Sequence, residues 1–304
     1  MTATAFPSPL IIADLSGGTD QDAGPTPIAQ GISLLDPRSA YTYSAGSARP
    51  FYGFADGGGC LVADFAPSAV STTNIAASQH TTQNTALTLV SSSGSGITVG
   101  DSIVRADTGA TVTGLLRIDG TVGYVAAGSS KLNRTWDPTK PAMGRAVSIS
   151  STSDLHLINF TVKGYDPYGY PVTSTIAGPN NSTVNTTKTF KWVASVTPDT
   201  TDGSHNVTVG TADIFGLPIR ADSLFYVYAF WNEIAFATSS HLTFTAADTT
   251  SPATASTTDV RGTLNLNADA GGTASNGTIK LRVAVVPSVA NISTTTGLFG
   301  VAQV

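Results

Sequence analysis

The chain has 304 residues, of which only 12% are charged, and its formal net charge is −5. This length allows one large or two modest domains with a sizeable core, and the acidic balance excludes the basic stripe that nucleic-acid binding needs. The single cysteine, Cys60, excludes an intramolecular disulfide and a cysteine-based metal site. Glu and Lys, the usual residues of exposed helices, are scarce, so the sequence predicts a mainly β protein.

Residues 1–67 are predicted to form an extended N-terminal arm. Prolines interrupt this segment throughout and prevent a regular strand ladder, whereas the apolar clusters between them would be costly to leave in water. We expect the arm to dock on a neighbouring subunit; packing on the chain's own β domain is the alternative. No signal peptide or membrane span is expected, so synthesis in a cytoplasm is expected. The candidate interface residues of the arm are Phe6, Leu10, Ile11 and Ile12.

Residues 68–140 are predicted to form a small β subdomain and a connector. Four stretches have strand composition, with turn dipeptides between them: TALTLVSS, GITVGDSIVRAD, ATVTGLLRIDG and TVGYVAAG. An insertion at the edge of the main sheet is the alternative. The proline-rich TWDPTKPAMG then serves as the connector, with Trp136 as its expected anchor.

Residues 141–304 have the strongest β pattern and are predicted to form a β-sandwich or jelly-roll-like main domain with a C-terminal tail. In KLRVAVVP, apolar residues alternate with more polar ones, as in a strand with one solvent-exposed face. In LFYVYAFW, odd and even positions are both apolar or aromatic, as in a central strand covered on both faces. In FTVKGYDPYGYPVTSTIAGPN, Asp166, Pro167 and Gly169 predict a tight turn between two strands. The candidate interface residues of the tail are Leu298 and Phe299.

Residue types that carry chemistry follow no catalytic pattern. The four histidines are far apart and form no HExxH or HxH pair, and no nucleophile elbow, phosphate loop or calcium loop is present. Most Asp residues lie in turn sequences such as RADTG and PDTTDG, where the carboxylate caps its own backbone. Two carboxylates across a cleft would suit a glycoside hydrolase, but we expect no catalytic residue, no cofactor and no metal.

Three tyrosines lie in the predicted turn of YDPYGYP. Tyr165, Tyr168 and Tyr170 could stack on sugar rings, but a packed corner or a contact with a neighbouring subunit is favoured. The low charge also favours packing against neighbours, because few ions lose their water when such a surface is covered. A neutral surface without a partner is the alternative.

Four segments together resemble virion proteins of tailed bacteriophages: FTVKGYDPYGYPVTSTIAGPN, TKTFKWVASVTPD, HNVTVGTADIFGLPIR and TSPATASTTDVRGTLN. The resemblance covers about residues 145–304, with a weaker likeness upstream, and Thr173 or Ser174 stands where the family's hairpin has an acidic residue. It implies a β-sandwich protein of the virion, such as a capsid decoration (cement) protein, with no catalytic residues. The implied partners are the major capsid protein and copies of the chain itself, for example in a trimer.

The leading hypothesis is a decoration protein that stabilises the outside of the phage head. A major capsid protein is disfavoured, because no helical period supplies the long spine helix of the usual shell fold. A tail or adaptor component is the closest alternative, followed by a receptor-binding or glycan-binding module and then by a glycan-cleaving enzyme.

Overall fold

The computed structural model describes residues 61–105, 107–118, 143–167, 169–217, 224–232, 234–235, 241–243, 255–266 and 273–287. The elements bounded within these ranges are fifteen β-strands, which confirms the predicted all-β class. They are β1 (Leu61–Phe65), β2 (Ser71–Thr81), β3 (Thr98–Val104), β4 (Thr111–Arg117), β5 (Arg145–Asp154), β6 (Asn159–Tyr165), β7 (Pro171–Ala177), β8 (Asn180–Phe190), β9 (Trp192–Pro198), β10 (Asp202–Gly216), β11 (Leu224–Trp231), β12 (Ile234–Ala235), β13 (Leu242–Thr243), β14 (Thr263–Asn265) and β15 (Leu281–Pro287).

The described strands form three antiparallel sheets. The six-stranded sheet has the order β13-β14-β10-β5-β8, with β2 also paired to β10. The five-stranded sheet has the order β3-β4-β9-β6-β7, and the four-stranded sheet has the order β1-β15-β11-β12. Strand β10 is the longest described strand, with 15 residues. One of its edges pairs first with β2 and then with β14, and its opposite edge pairs with β5.

The six-stranded and five-stranded sheets pack face to face around the larger hydrophobic core. On β6, Phe160 and Val162 point into this core, whereas Thr161 and Lys163 point outward, as strand alternation requires. Val172 of β7 is also buried in it, and β6 and β7 are the two strands predicted on either side of the turn. The opposite sheet contributes the following residues to the same core: Ile75, Val147, Ile149, Val207 and Val209.

A second core joins the end of β10 to the four-stranded sheet. Phe215 of β10 packs edge-on against Phe65 of β1, with 5.9 Å between the ring centroids. In β15, Leu281 and Val283 are buried and Arg282 is half-buried, which confirms the predicted strand with one wet face. Residues 61–65 of the predicted arm lie in the chain's own sheet, where they pair with β15, and Pro67 O accepts from Gly277 N at 2.9 Å; residues 1–60 lie outside the described residues.

The strands of the predicted small subdomain join the two main sheets. β2 pairs with β10, and β4 connects the β3–β4 hairpin to β9. The segment between β2 and β3 bridges the two sheets: Leu87 N donates to Val196 O at 2.8 Å, and Val90 N donates to Ile75 O at 2.9 Å. Of these strands, β2 and β3 lie at sheet edges and β4 lies between β3 and β9. The connector around Trp136 lies outside the described residues.

Candidate functional site

The β6–β7 hairpin contains the turn that the sequence predicts, at residues 166–170. Asp166 N donates to Tyr170 O at 2.9 Å, and Gly169 N donates to Asp166 O at 3.0 Å. Gly169 has a φ of 89°, which glycine adopts without steric cost. The Asp166 carboxylate also accepts a hydrogen bond from Tyr170 N at 2.9 Å. The predicted tight turn is confirmed, and the Asp166 side chain stabilises it by accepting a backbone N–H of the same turn.

Asp166 also forms a long-range ion pair. Its Oδ2 accepts hydrogen bonds from both terminal nitrogens of Arg261, the first at 2.8 Å, and both side chains are buried. Charge-assisted, two-pronged bonds of this kind fix geometry tightly. Loss of one partner would leave a buried, uncompensated charge. The ion pair therefore fixes the turn to a segment 95 residues further along the chain.

Asp259, two residues before Arg261, ties the same segment to β8. Its Oδ2 accepts from Thr189 N at 3.0 Å and from Thr189 Oγ1 at 2.6 Å, and its Oδ1 accepts from Arg261 N at 3.0 Å. The packing is close: a Cβ on Gly216 would lie 2.1 Å from Thr189 Oγ1, so only glycine fits there. The stretch TTDVRGT thus holds the edge of β8, the end of β10 and the hairpin turn together.

A third buried network surrounds Arg145 at the start of β5. Its guanidinium donates to Asp213 Oδ1 at 2.6 Å, to Ser275 Oγ at 2.7 Å and to Ala212 O at 2.7 Å. Ser275 N donates to the other oxygen of Asp213 at 2.8 Å. Arg145 also lies over the ring of Phe215, 5.2 Å from its centroid. This network therefore ties the start of β5 to β10 and to the segment that precedes β15.

Sequence reasoning placed the aspartates in turns and did not find these three buried networks. The signal that could have found them is an isolated charge inside an apolar strand pattern, such as Asp213 in TADIF or Arg145 in GRAVS. In a chain with so few charges, such positions predict buried pairs. Which acid meets which base depends on the fold.

Two lysines are buried near these networks. Burial, together with the charge of Arg117 and against that of Asp101, lowers the pKa of Lys191 from 10.5 to about 7. Burial lowers the pKa of Lys188 to about 8, opposed by Asp259. Such lysines can serve as nucleophiles where substrate reaches them, but Lys191 is 0% exposed, so a substrate has no access to it.

The structure describes two of the nine candidate interface residues. Tyr165 is half-buried against Trp192 and Leu115, beside the bond from Trp192 Nε1 to Asp101 Oδ2 at 2.6 Å. Tyr170 is 37% exposed at the start of β7. Tyr165 therefore belongs to a packed corner rather than to a free stacking platform. The other candidates lie outside the described residues: Phe6, Leu10, Ile11, Ile12, Tyr168, Leu298 and Phe299.

A cleft of about 420 Å³ lies at the other end of the hairpin strands, between residues 154–158 and 200–204. Asp154 Oδ1 is 2.6 Å from His156 Nδ1, and Asp202 Oδ2 is 2.9 Å from His205 Nδ1. Each carboxylate also accepts backbone N–H groups of its own turn. The hydrogen bond from the histidine, followed by these backbone bonds, lowers the pKa of each carboxyl.

The cleft has the wrong electrostatics for acid catalysis. A glycoside hydrolase needs one carboxylic acid whose pKa is raised, so that it can protonate the leaving group. Both carboxyl groups of the cleft have lowered pKa values and act as turn caps, which the sequence predicted for Asp202 in PDTTDG but not for Asp154. Neither carboxyl group therefore has the raised pKa that a general acid needs.

The fold brings three of the four histidines to this end of the sandwich, since His80 Nδ1 lies 3.1 Å from the backbone oxygen of His205. In the part of the chain that the structure describes, no group of three or more His, Cys, Asp or Glu side chains could hold a metal ion. Within the same ranges, no helix is long and apolar enough to cross a membrane.

Comparison of the chain with protein-family models, curated proteins and solved structures finds no match.

Proposed function

We propose that the protein is a non-enzymatic structural component of a tailed-bacteriophage virion, and specifically a decoration protein that binds the outside of the capsid and stabilises it. The observation that carries the proposal is the structural role of the segments that resemble virion proteins, whose charged side chains hold strands together. Asp166, Asp259 and Arg261 lie in these segments, and their side chains are buried in contacts that hold strands together. The segments thus supply rigidity rather than a reactive site.

Rigidity suits a protein that reinforces a shell. A subunit that resists deformation of a particle has to transmit strain through closely packed layers rather than yield at its loops. Here the hairpin turn, the edge of β8 and the end of β10 are joined by charge-assisted hydrogen bonds. A loop that opens for catalysis would instead need few buried contacts with the strands around it.

The exposed surface also suits assembly. On the outer face of the five-stranded sheet, β9, β6 and β7 present threonines with one lysine, Lys163, among them. Covering such a face removes water from hydroxyl groups and few ions, which costs little free energy. The threonines of this face are Thr161, Thr173, Thr175 and Thr197.

The proposed partners are the major capsid protein and further copies of this chain. Phe6, Leu10, Ile11 and Ile12 are proposed to bind the shell, because each buries apolar area worth about 1.5–3 kcal/mol and a lattice repeats the contact many times. A tail or adaptor component shares the same fold requirements. Copy number distinguishes it from a decoration protein, as described at the end of the Discussion.

Add-back to depleted particles tests the proposal. Particles made from a genome that lacks the gene should lose DNA at a lower temperature than complete particles, and the purified 304-residue chain should restore the original temperature on addition. Bovine serum albumin at the same concentration serves as the control. If depleted particles are as stable as complete ones, or if the added chain does not bind them, the decoration role is wrong.

A further inference from the structure

The sheet edges of this protein differ in how their backbone groups are protected. At the outer edge of β2, the Gln79 side chain bonds both the N–H and the carbonyl oxygen of Thr88, at 2.8 and 3.0 Å, and covers the strand. At β8, the Asp259 segment covers the edge beside Thr187 and Thr189. Strand β3 has two irregularities in its register with β4 and contains Asp101. Bulges, charges and covering segments all protect edges from other strands.

Strand β7 is a regular edge strand. It ends the five-stranded sheet, and all seven of its residues pair with β6 in an uninterrupted register. It contains no charged side chain, and Pro171 removes a donor only at its first position. Of the remaining edge strands, β1 has a charged residue, Asp64, in its sequence, and β12 and β13 have two residues each. Among the edges that the structure describes, β7 is thus the one of more than two residues that is both regular in its pairing and uncharged.

The edge is also held in place before any partner arrives. The turn that precedes β7 is locked by the pair between Asp166 and Arg261. Val172 and Ser174 are buried on the inner face, and Ser174 Oγ lies 3.5 Å from Thr187 Oγ1 of β8. Because the strand is already ordered, adding another strand to it costs little conformational entropy.

We propose that β7 is the contact through which two copies of this chain associate, by antiparallel pairing of β7 with β7 of the second copy. Antiparallel pairing of identical strands is two-fold symmetric, so each strand is the complement of the other. No like charges are brought opposite each other, because β7 has none. Outward-facing threonines are suitable cross-strand partners, as Thr161 and Thr175 show within the chain, where their hydroxyls lie 3.0 Å apart.

The inference deepens the proposed structural role, since a contact between copies is what a lattice component needs. A single pair of seven-residue strands is a small interface, so we expect association at about 10 μM and above rather than at nanomolar concentration. The contact joins two five-stranded sheets into one continuous sheet.

Analytical ultracentrifugation of the full chain tests the inference. Thr175→Lys places a lysine on the edge strand, where antiparallel pairing brings it close to the second copy. Thr197→Lys on the interior strand β9 is the matched control, because both positions lie opposite Thr161 on the same sheet face. We expect a wild-type dimer whose dissociation constant rises at least about tenfold in the edge variant and stays unchanged in the control.

Hydrogen exchange of the wild-type chain gives a second measurement that needs no substitution. Amide protons of β7 should gain protection as the chain concentration rises through the dissociation constant, whereas those of β3 should not. A wild-type monomer at all concentrations, an equal loss in both lysine variants, or an oligomer without added protection in β7 would overturn the inference. None of these outcomes bears on particle stability, so the decoration role stands or falls separately.

Discussion

Lys191 is a buried lysine whose charged form is disfavoured both by burial and by the charge of Arg117. Its ammonium group is fully buried, and the two effects lower its pKa from 10.5 to about 7 in the folded chain. The unfolded chain keeps the ordinary value, so between these two pH values the unfolded state binds more protons than the folded state. The free energy of unfolding therefore rises with pH in this window, by at most about 1.4 kcal/mol per pH unit for one group.

Replacing Lys191 with methionine should make this rise smaller. Lys188, with a pKa lowered to about 8, should keep part of the rise in the variant. Urea unfolding at pH 7 and at pH 9 measures the difference, and Lys163→Met, at an exposed position on β6, is the control that should behave as wild type. Equal pH dependence in Lys191→Met and wild type would show that Lys191 is not held in the buried state described.

Arg261 tests the buried ion pair of the hairpin turn. Arg261→Met leaves the buried Asp166 carboxylate without its partner, so we expect a loss of about 3–5 kcal/mol in the free energy of unfolding. The double variant Asp166→Asn/Arg261→Met should recover part of this loss, because no unpaired charge remains. Arg105→Met, which breaks the exposed pair with Asp107, is the control and should have little effect. If Arg261→Met unfolds at the same urea concentration as the control, the pair does not hold the turn.

At the scale of elements, the β6–β7 hairpin was predictable and its attachment was not. The turn residues Asp166, Pro167 and Gly169, with alternating apolar residues around them, predict strand, turn and strand from local rules alone. The contact between Thr189 and Asp259 joins residues 70 apart, and no local rule specifies it. The sandwich fold could therefore be predicted from the period of the strands, whereas the networks that lock it depend on which distant segments the topology brings together.

Gly216 tests the close packing of the DVRGT segment against β10. A Cβ at this position would lie 2.1 Å from Thr189 Oγ1 and would push away the hydroxyl that donates to Asp259. We expect Gly216→Ala to lower the free energy of unfolding by about 1–3 kcal/mol. Gly203→Ala is the control, because an added Cβ there meets no atom within 4 Å. Equal melting temperatures for the two variants would contradict the packing described.

At the scale of the whole molecule, the described strands begin at Leu61, and β1 pairs with β15. Removing residues 1–30 should therefore leave the melting temperature near that of the full chain while binding to depleted particles is lost. Differential scanning calorimetry and particle co-sedimentation measure the two effects, with the full chain as control. If the shortened chain unfolds or aggregates, its first residues belong to its own core and not to a partner's surface.

The central claim is that this chain is a repeated component of a viral shell. Quantitative mass spectrometry of purified particles tests it most directly, by giving the number of copies of this chain relative to the major capsid protein. We expect a copy number of the same order as that of the capsid protein, in a fixed ratio set by the symmetry of the shell. A few copies per particle would place the chain in the tail, and its absence from purified particles would contradict a virion role altogether.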